Sequence, residues 1–158
     1  LPEGLLDALC AVCLHMASCT RGLPKVTALI AAVAFRTGFA AMLRPSELLS
    51  LRRADVSLPH EACGIERISE IIVVLRSPKN KRFLAPLQFT TLDDHMAIKW
   101  LEWWCALIPP NALLFPINRH RLGAVMSHAL GLLGLNGLNL SPRSLRAGGA
   151  CVYFRRCG

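Results

Sequence analysis

Acidic residues run out early in this 158-residue chain: none follows Glu102, while six arginines do, Arg119, Arg121, Arg143, Arg146, Arg155 and Arg156. Lysine is scarce too, with 4 against 14 arginines. That bias suits bidentate phosphate binding better than generic solubility. The net charge of +8, gathered late in the sequence, points to a polyanionic partner, nucleic acid first. A solvated basic face is the alternative. Tyrosine occurs once, at Tyr153.

Other absences exclude whole classes. Seven cysteines, an odd number in apolar surroundings, do not make a disulfide framework and fit a reducing, intracellular compartment. Cys10 and Cys13 form a CxxC, but no second pair at zinc-finger spacing follows, and His15 comes too late for haem attachment. They read as small hydrophobes. No acidic or Cys/His cluster has ligand spacing, so no metal and no other cofactor is expected. Gly148-Gly149 lack the phosphate-loop pattern and are expected to permit close helix packing. The charge-free run Val26 to Phe35 is too short to span a bilayer, so no membrane partner is expected. Leu1-Pro2-Glu3 does not open a signal peptide, and a start on leucine suggests a fragment.

Apolar periodicity predicts helices over Leu5–Cys19, Lys25–Thr37, Ser46–Arg52, Leu92–Leu107 and Ile117–Leu133, with a last helix opening at Pro142. Thr90 and Thr91 are expected to cap the fourth, with Asp93 and Asp94 in its first turn. Val56–Leu58 reads as a brief strand. Ile68–Leu75 is the clearest strand, Ser77–Lys81 its turn and Arg82–Leu87 its partner. Trp100, Trp103 and Trp104 are expected in the core. The fold class is α+β, a mainly helical domain with a small antiparallel hairpin or three-stranded sheet.

Two helices open in the same way. In LRPSELLSL, Pro45 takes the first helical position, Arg44 the cap and Glu47 the third, from which it can reach back to the Arg44 amide. In SPRSLRAGG, Ser141 is the expected cap, Pro142 the first helical residue, and Arg143 and Arg146 share a face. A helix N-terminus already carries roughly half a positive charge, so a cation there costs about 0.3–1 kcal/mol. A shared anion such as phosphate would offset that cost at both helices. A third basic element, Ser77-Pro78-Lys79-Asn80-Lys81-Arg82, lies at the hairpin tip, where a lysine could protonate a leaving oxygen.

Arginine on a short helix, lysine on a hairpin and a late arginine after Ser-Pro form an order that resembles the catalytic domain of tyrosine recombinases, the phage-integrase family. RTGFAAMLRPSELLSLRRADV is similar to the segment around that family's first catalytic arginine, which implies this role for Arg44 and a supporting role for Glu47. IIVVLRSPKNKRFLAPL resembles the hairpin with the catalytic lysine, Lys79 the better match and Lys81 the reserve. SPRSLRAGGA resembles the His-x-x-Arg box, with Arg146 as second arginine and Arg143 in the histidine position. The Leu-Arg-Pro-Ser-Glu and Leu-Arg-Ala-Gly-Gly variants look most like domains of eukaryotic mobile elements.

The resemblance implies double-stranded DNA as partner, assembly of copies on it, and a nuclear location if the source is eukaryotic. It also implies DNA integration or recombination by strand breakage and rejoining through a phosphotyrosyl intermediate. Lys81, Arg82, Arg119 and Arg121 would add DNA contacts. Arg143 can donate to a phosphate but cannot shuttle a proton at neutral pH. Tyr153, seven residues after Arg146, does not match the nucleophile and reads as a packed helix residue. The chain therefore reads as one partial catalytic domain, 1–158, without the family's N-terminal DNA-clamping domain and C-terminal tyrosine segment. The alternative is a catalytically dead helical DNA-binding or interaction module derived from such an enzyme.

Overall fold

The computed structural model describes residues 1–59, 70–76 and 87–157. Six helices are described: α1 (Glu3–Cys19), α2 (Leu23–Ala40), α3 (Pro45–Ser50), α4 (His95–Cys105), α5 (Arg119–Leu132) and α6 (Arg143–Cys157). They accompany one antiparallel sheet in the order β1 (Val56–Ser57), β2 (Ile71–Leu75), β3 (Gln88–Leu92). The α+β expectation holds.

Helix α2 is the hub. It packs against all five other helices, and residues 30–39 are all buried. Its length and apolarity would also suit a bilayer crossing, but enclosure by the other helices gives this composition a core role here. One charge lies in that stretch. Arg36 is ion-paired to Asp7 of α1, and its guanidinium lies 5.6 Å from the Trp100 ring centre.

The sheet departs from expectation at its edge. Gln88–Leu92 pairs with Ile71–Leu75, with Ile71 opposite Leu92 and Val73 opposite Thr90. Thr90 and Thr91 are therefore strand residues rather than helix caps. Threonine suits both positions, and pairing with β2 decides between them. Helix α4 starts later, at His95, where the Asp94 carboxylate caps it by accepting from the Ala97 amide at 2.6 Å. The expected strand Arg82–Leu87 and turn Ser77–Lys81 fall almost entirely outside the described residues.

Of the three tryptophans only Trp104 is core, donating its indole N–H to the Leu114 carbonyl at 2.8 Å. Trp100 is half-buried and Trp103 is 50% exposed. Burial pushes the Cys10 and Cys13 thiols up to about 12, so both stay protonated and behave as apolar filler.

Glycines on α2 and α6 set how closely the helices approach. At Gly38 of α2, an added Cβ would lie 3.0 Å from Leu48 of α3 and 3.5 Å from Leu145 of α6. Both helices thus rest on the same spot of α2. Lower on α6, a Cβ at Gly149 would come 2.0 Å from the Phe39 carbonyl oxygen, and one at Gly148 2.2 Å from that of Leu1. Backbone-to-backbone approach this close requires glycine, as the sequence suggested.

Candidate nucleic-acid interface

Because α3 and α6 share one seat on α2, their N-termini meet. Arg44 caps α3 in extended conformation, with Pro45 behind it and Leu48 buried beneath. The buried Glu47 carboxylate accepts from the Arg44 amide at 2.8 Å and from Arg44 Nη1 at 2.7 Å. This is the expected return bond, and such caps contribute about 1 kcal/mol. The same carboxylate also reaches α6: Arg146 Nη1 lies 3.6 Å from Glu47 Oε2. One buried acid therefore holds two arginines from helices about a hundred residues apart in sequence.

Helix α6 begins at Arg143, one residue after the expected Pro142. The Ser144 amide donates to the Ser141 carbonyl at 2.8 Å, and the Ser141 amide donates to Ser144 Oγ at 3.3 Å. A third helix completes the site. The strip before α5 is tied back to the end of α3, since the Leu114 amide donates to the Leu51 carbonyl at 2.8 Å and the Arg53 amide to the Ala112 carbonyl at 3.0 Å. Asn118 then caps α5, its side chain accepting from the Arg121 amide at 2.8 Å. Arg119 follows in the first turn.

The result is a cleft of about 530 Å³ lined by Arg44, Pro45, Ser46, Arg119, Arg143 and Arg146. No carboxylate lines it among the described residues. Glu47, beneath, offsets one positive charge; the rest is left for a ligand. The Arg44 and Arg146 side chains remain 31% and 44% exposed, so each guanidinium has donors to spare. Converging guanidinium groups without a carboxylate of their own suit a phosphate.

Of the residues singled out in the sequence, Arg44, Glu47, Arg119, Arg143 and Arg146 come together. Arg121 does not. It lines a separate apolar cleft of about 350 Å³ with Met16, Leu23 and His128, since residues two apart on a helix point different ways. Lys79, Lys81 and Arg82 lie outside the described residues. Tyr153 is half-exposed rather than packed. It lines another hollow with Arg36, Asp93 and Asp94, and its ring meets Phe154 edge-on at 6.0 Å. Ser46 was missed; its place between Pro45 and Glu47, in the first turn of α3, was the available signal. Among the described residues no group of three or more metal-ligating side chains occurs.

The fold is tyrosine-recombinase-like. Among solved structures, this chain is similar to the XerH site-specific recombinase in its pre-cleavage complex with difH substrate, with a TM-score of 0.68 and 15% identity. The match covers 99% of this chain and 42% of the other, so the chain spans less than half of that protein's length. No protein-family model matches the sequence, and no curated protein matches it.

Proposed function

We propose that this chain is the phosphate-gripping part of a tyrosine recombinase catalytic domain and binds double-stranded DNA through its backbone. The observation that carries the reading is the convergence of Arg44 and Arg146 on the single carboxylate of Glu47, with Arg119 and Arg143 in the same cleft. In this reading Arg44 and Arg146 clamp the non-bridging oxygens of one phosphodiester and stabilise the charge that builds up as it is attacked. Arg143 donates a further hydrogen bond, and Glu47 holds both clamps in place. Lys79, with Lys81 as the alternative, gives the proton to the leaving oxygen. The nucleophilic tyrosine is supplied from outside these 158 residues, a reading supported by the partial coverage of XerH. No nucleotide cofactor is consumed, because the phosphotyrosyl link conserves the bond energy, and the arginines rather than a metal stabilise the developing charge.

In the complete protein this grip serves strand breakage and rejoining during recombination or integration, with copies assembled on DNA. We place it in the cell interior, in the nucleus of a eukaryotic source, and in a mobile element.

Two gels test the proposal. In a native gel at about 50 mM salt the chain retards a duplex of about 30 base pairs, and the shift is lost at about 200 mM. In a denaturing gel no protein–DNA adduct forms. Absence of retardation at low salt overturns the DNA reading. A covalent adduct through Tyr153 overturns the assignment of the nucleophile.

A further inference from the structure

The arginine cleft does not end at Arg119 and Arg143. The same two residues form the edge of an adjoining groove of about 800 Å³ between α5 and α6. His120, Ser127 and Ser141 also line that groove, and no acid does among the described residues. All five of these residues are exposed, so their donors are open to a ligand. One feature keeps the floor low: a Cβ at Gly123 would meet nothing within 4 Å.

Two cavities that share both of these arginines lie side by side, so they can serve as the two ends of one trough. The first end is richer in fixed charge. The second offers hydroxyls and an imidazole, groups that donate to a phosphate without holding it as tightly. A polynucleotide strand presents this pattern, one phosphate after the next. Resting on the DNA-binding reading above, we infer that the α5–α6 groove is a second phosphate subsite. It seats the neighbouring phosphate of the gripped strand on Arg119, His120, Ser127, Ser141 and Arg143. The strand consequently leaves the arginine cleft along α5.

The test uses thymidine oligonucleotides, which separate one phosphate from two. TpT carries one phosphodiester and TpTpT carries two. Amide chemical shifts of the wild-type chain are followed at about 50 mM salt. TpT shifts the amides around Arg44 and Arg146; TpTpT shifts these and also His120, Ser127 and Ser141, and binds roughly tenfold tighter. Gly123→Glu places a carboxylate in the groove without a packing clash and in a better helix former. It brings the affinity ratio of the two probes close to one. His120→Gln with Ser127→Ala lowers the ratio in the same direction, and a thermal midpoint no lower than that of the wild type shows each variant folded.

Equal affinity for both probes in the wild type, or a ratio that survives Gly123→Glu, overturns the second subsite and leaves the arginine cleft standing. Failure of either probe to reach Arg44 and Arg146 overturns both readings.

Discussion

Arginine meets carboxylate in two places in this molecule, with opposite outcomes. In the core, Arg36 is 6% exposed and has one partner acid, Asp7, with the Trp100 ring within cation–π reach. Charge balances there, and the site is structural. Above α3 and α6, four arginines share a cleft, two of them paired with one buried acid, and no carboxylate among the described residues lines that cleft to cancel the remainder. Such an excess costs stability, and a fold keeps it where a ligand supplies the missing anion. On the function proposed above, unbalanced charge rather than burial marks the functional arginines of this chain.

The most severe way to break the comparison is to remove the platform both sites share. Gly149→Ala forces a methyl onto the Phe39 carbonyl, lifts α6 from α2, and is expected to cost at least about 3 kcal/mol. Urea unfolding measures it; a loss under about 1 kcal/mol would show that α6 docks elsewhere.

Next, the two arginine sites should differ in the binding assay. Arg36→Ala is expected to lower stability by about 2 kcal/mol, because a packed and paired side chain is removed, with DNA binding to the folded protein unchanged. Arg44→Ala with Arg146→Ala should weaken duplex binding roughly tenfold or more, and should also cost about 2–3 kcal/mol because the buried Glu47 carboxylate loses both side-chain partners. Similar losses of binding for both variants would erase the distinction.

Glu47→Gln sharpens the comparison, since that acid belongs to both charge and cap. The substitution should cost about 1–2 kcal/mol through the Arg44 cap and weaker arginine anchoring. Duplex affinity at low salt should rise no more than about threefold, because one negative charge has gone. A large fall in binding would make Glu47 a DNA contact rather than a support.

The smallest effect concerns cysteine. With thiols pushed up to about 12, Cys10 and Cys13 should remain unmodified by iodoacetamide at about pH 8 while the exposed Cys19 and Cys151 react. The sign is simple: a raised value removes thiolate at any working pH. Peptide mapping by mass spectrometry reads each position, and early labelling of Cys10 would mean that α1 opens from α2.

Much of this was legible in the chain because the signals were local. Proline at the first helical position and glutamate two residues later define the start of α3, and the Arg44–Glu47 bond follows from that spacing. The glycine pair in α6 announced a close approach. What the chain could not show was which helix faces meet. Arg119 and Arg121 look equivalent in sequence, yet one lines the cleft and the other an apolar hollow, since only the seating of α5 chooses between them. Nor could spacing show that Glu47 would also hold Arg146, a pairing made possible by Leu48 and Leu145 sharing Gly38. The edge strand differs from expectation for a related reason: QFTTL carries both strand and cap signals, and its partner β2 decides.

The central claim is that the clustered guanidinium groups hold DNA phosphate. Its most direct test is the salt dependence of duplex binding, followed by fluorescence anisotropy between about 50 and 200 mM salt for the wild type and for Arg44→Ala with Arg146→Ala. Both arginines grip the same phosphate, so removing them together should flatten the log–log slope by about 0.9, the contribution of one phosphate. Parallel slopes, with the two proteins differing only in intercept or not at all, would contradict the account.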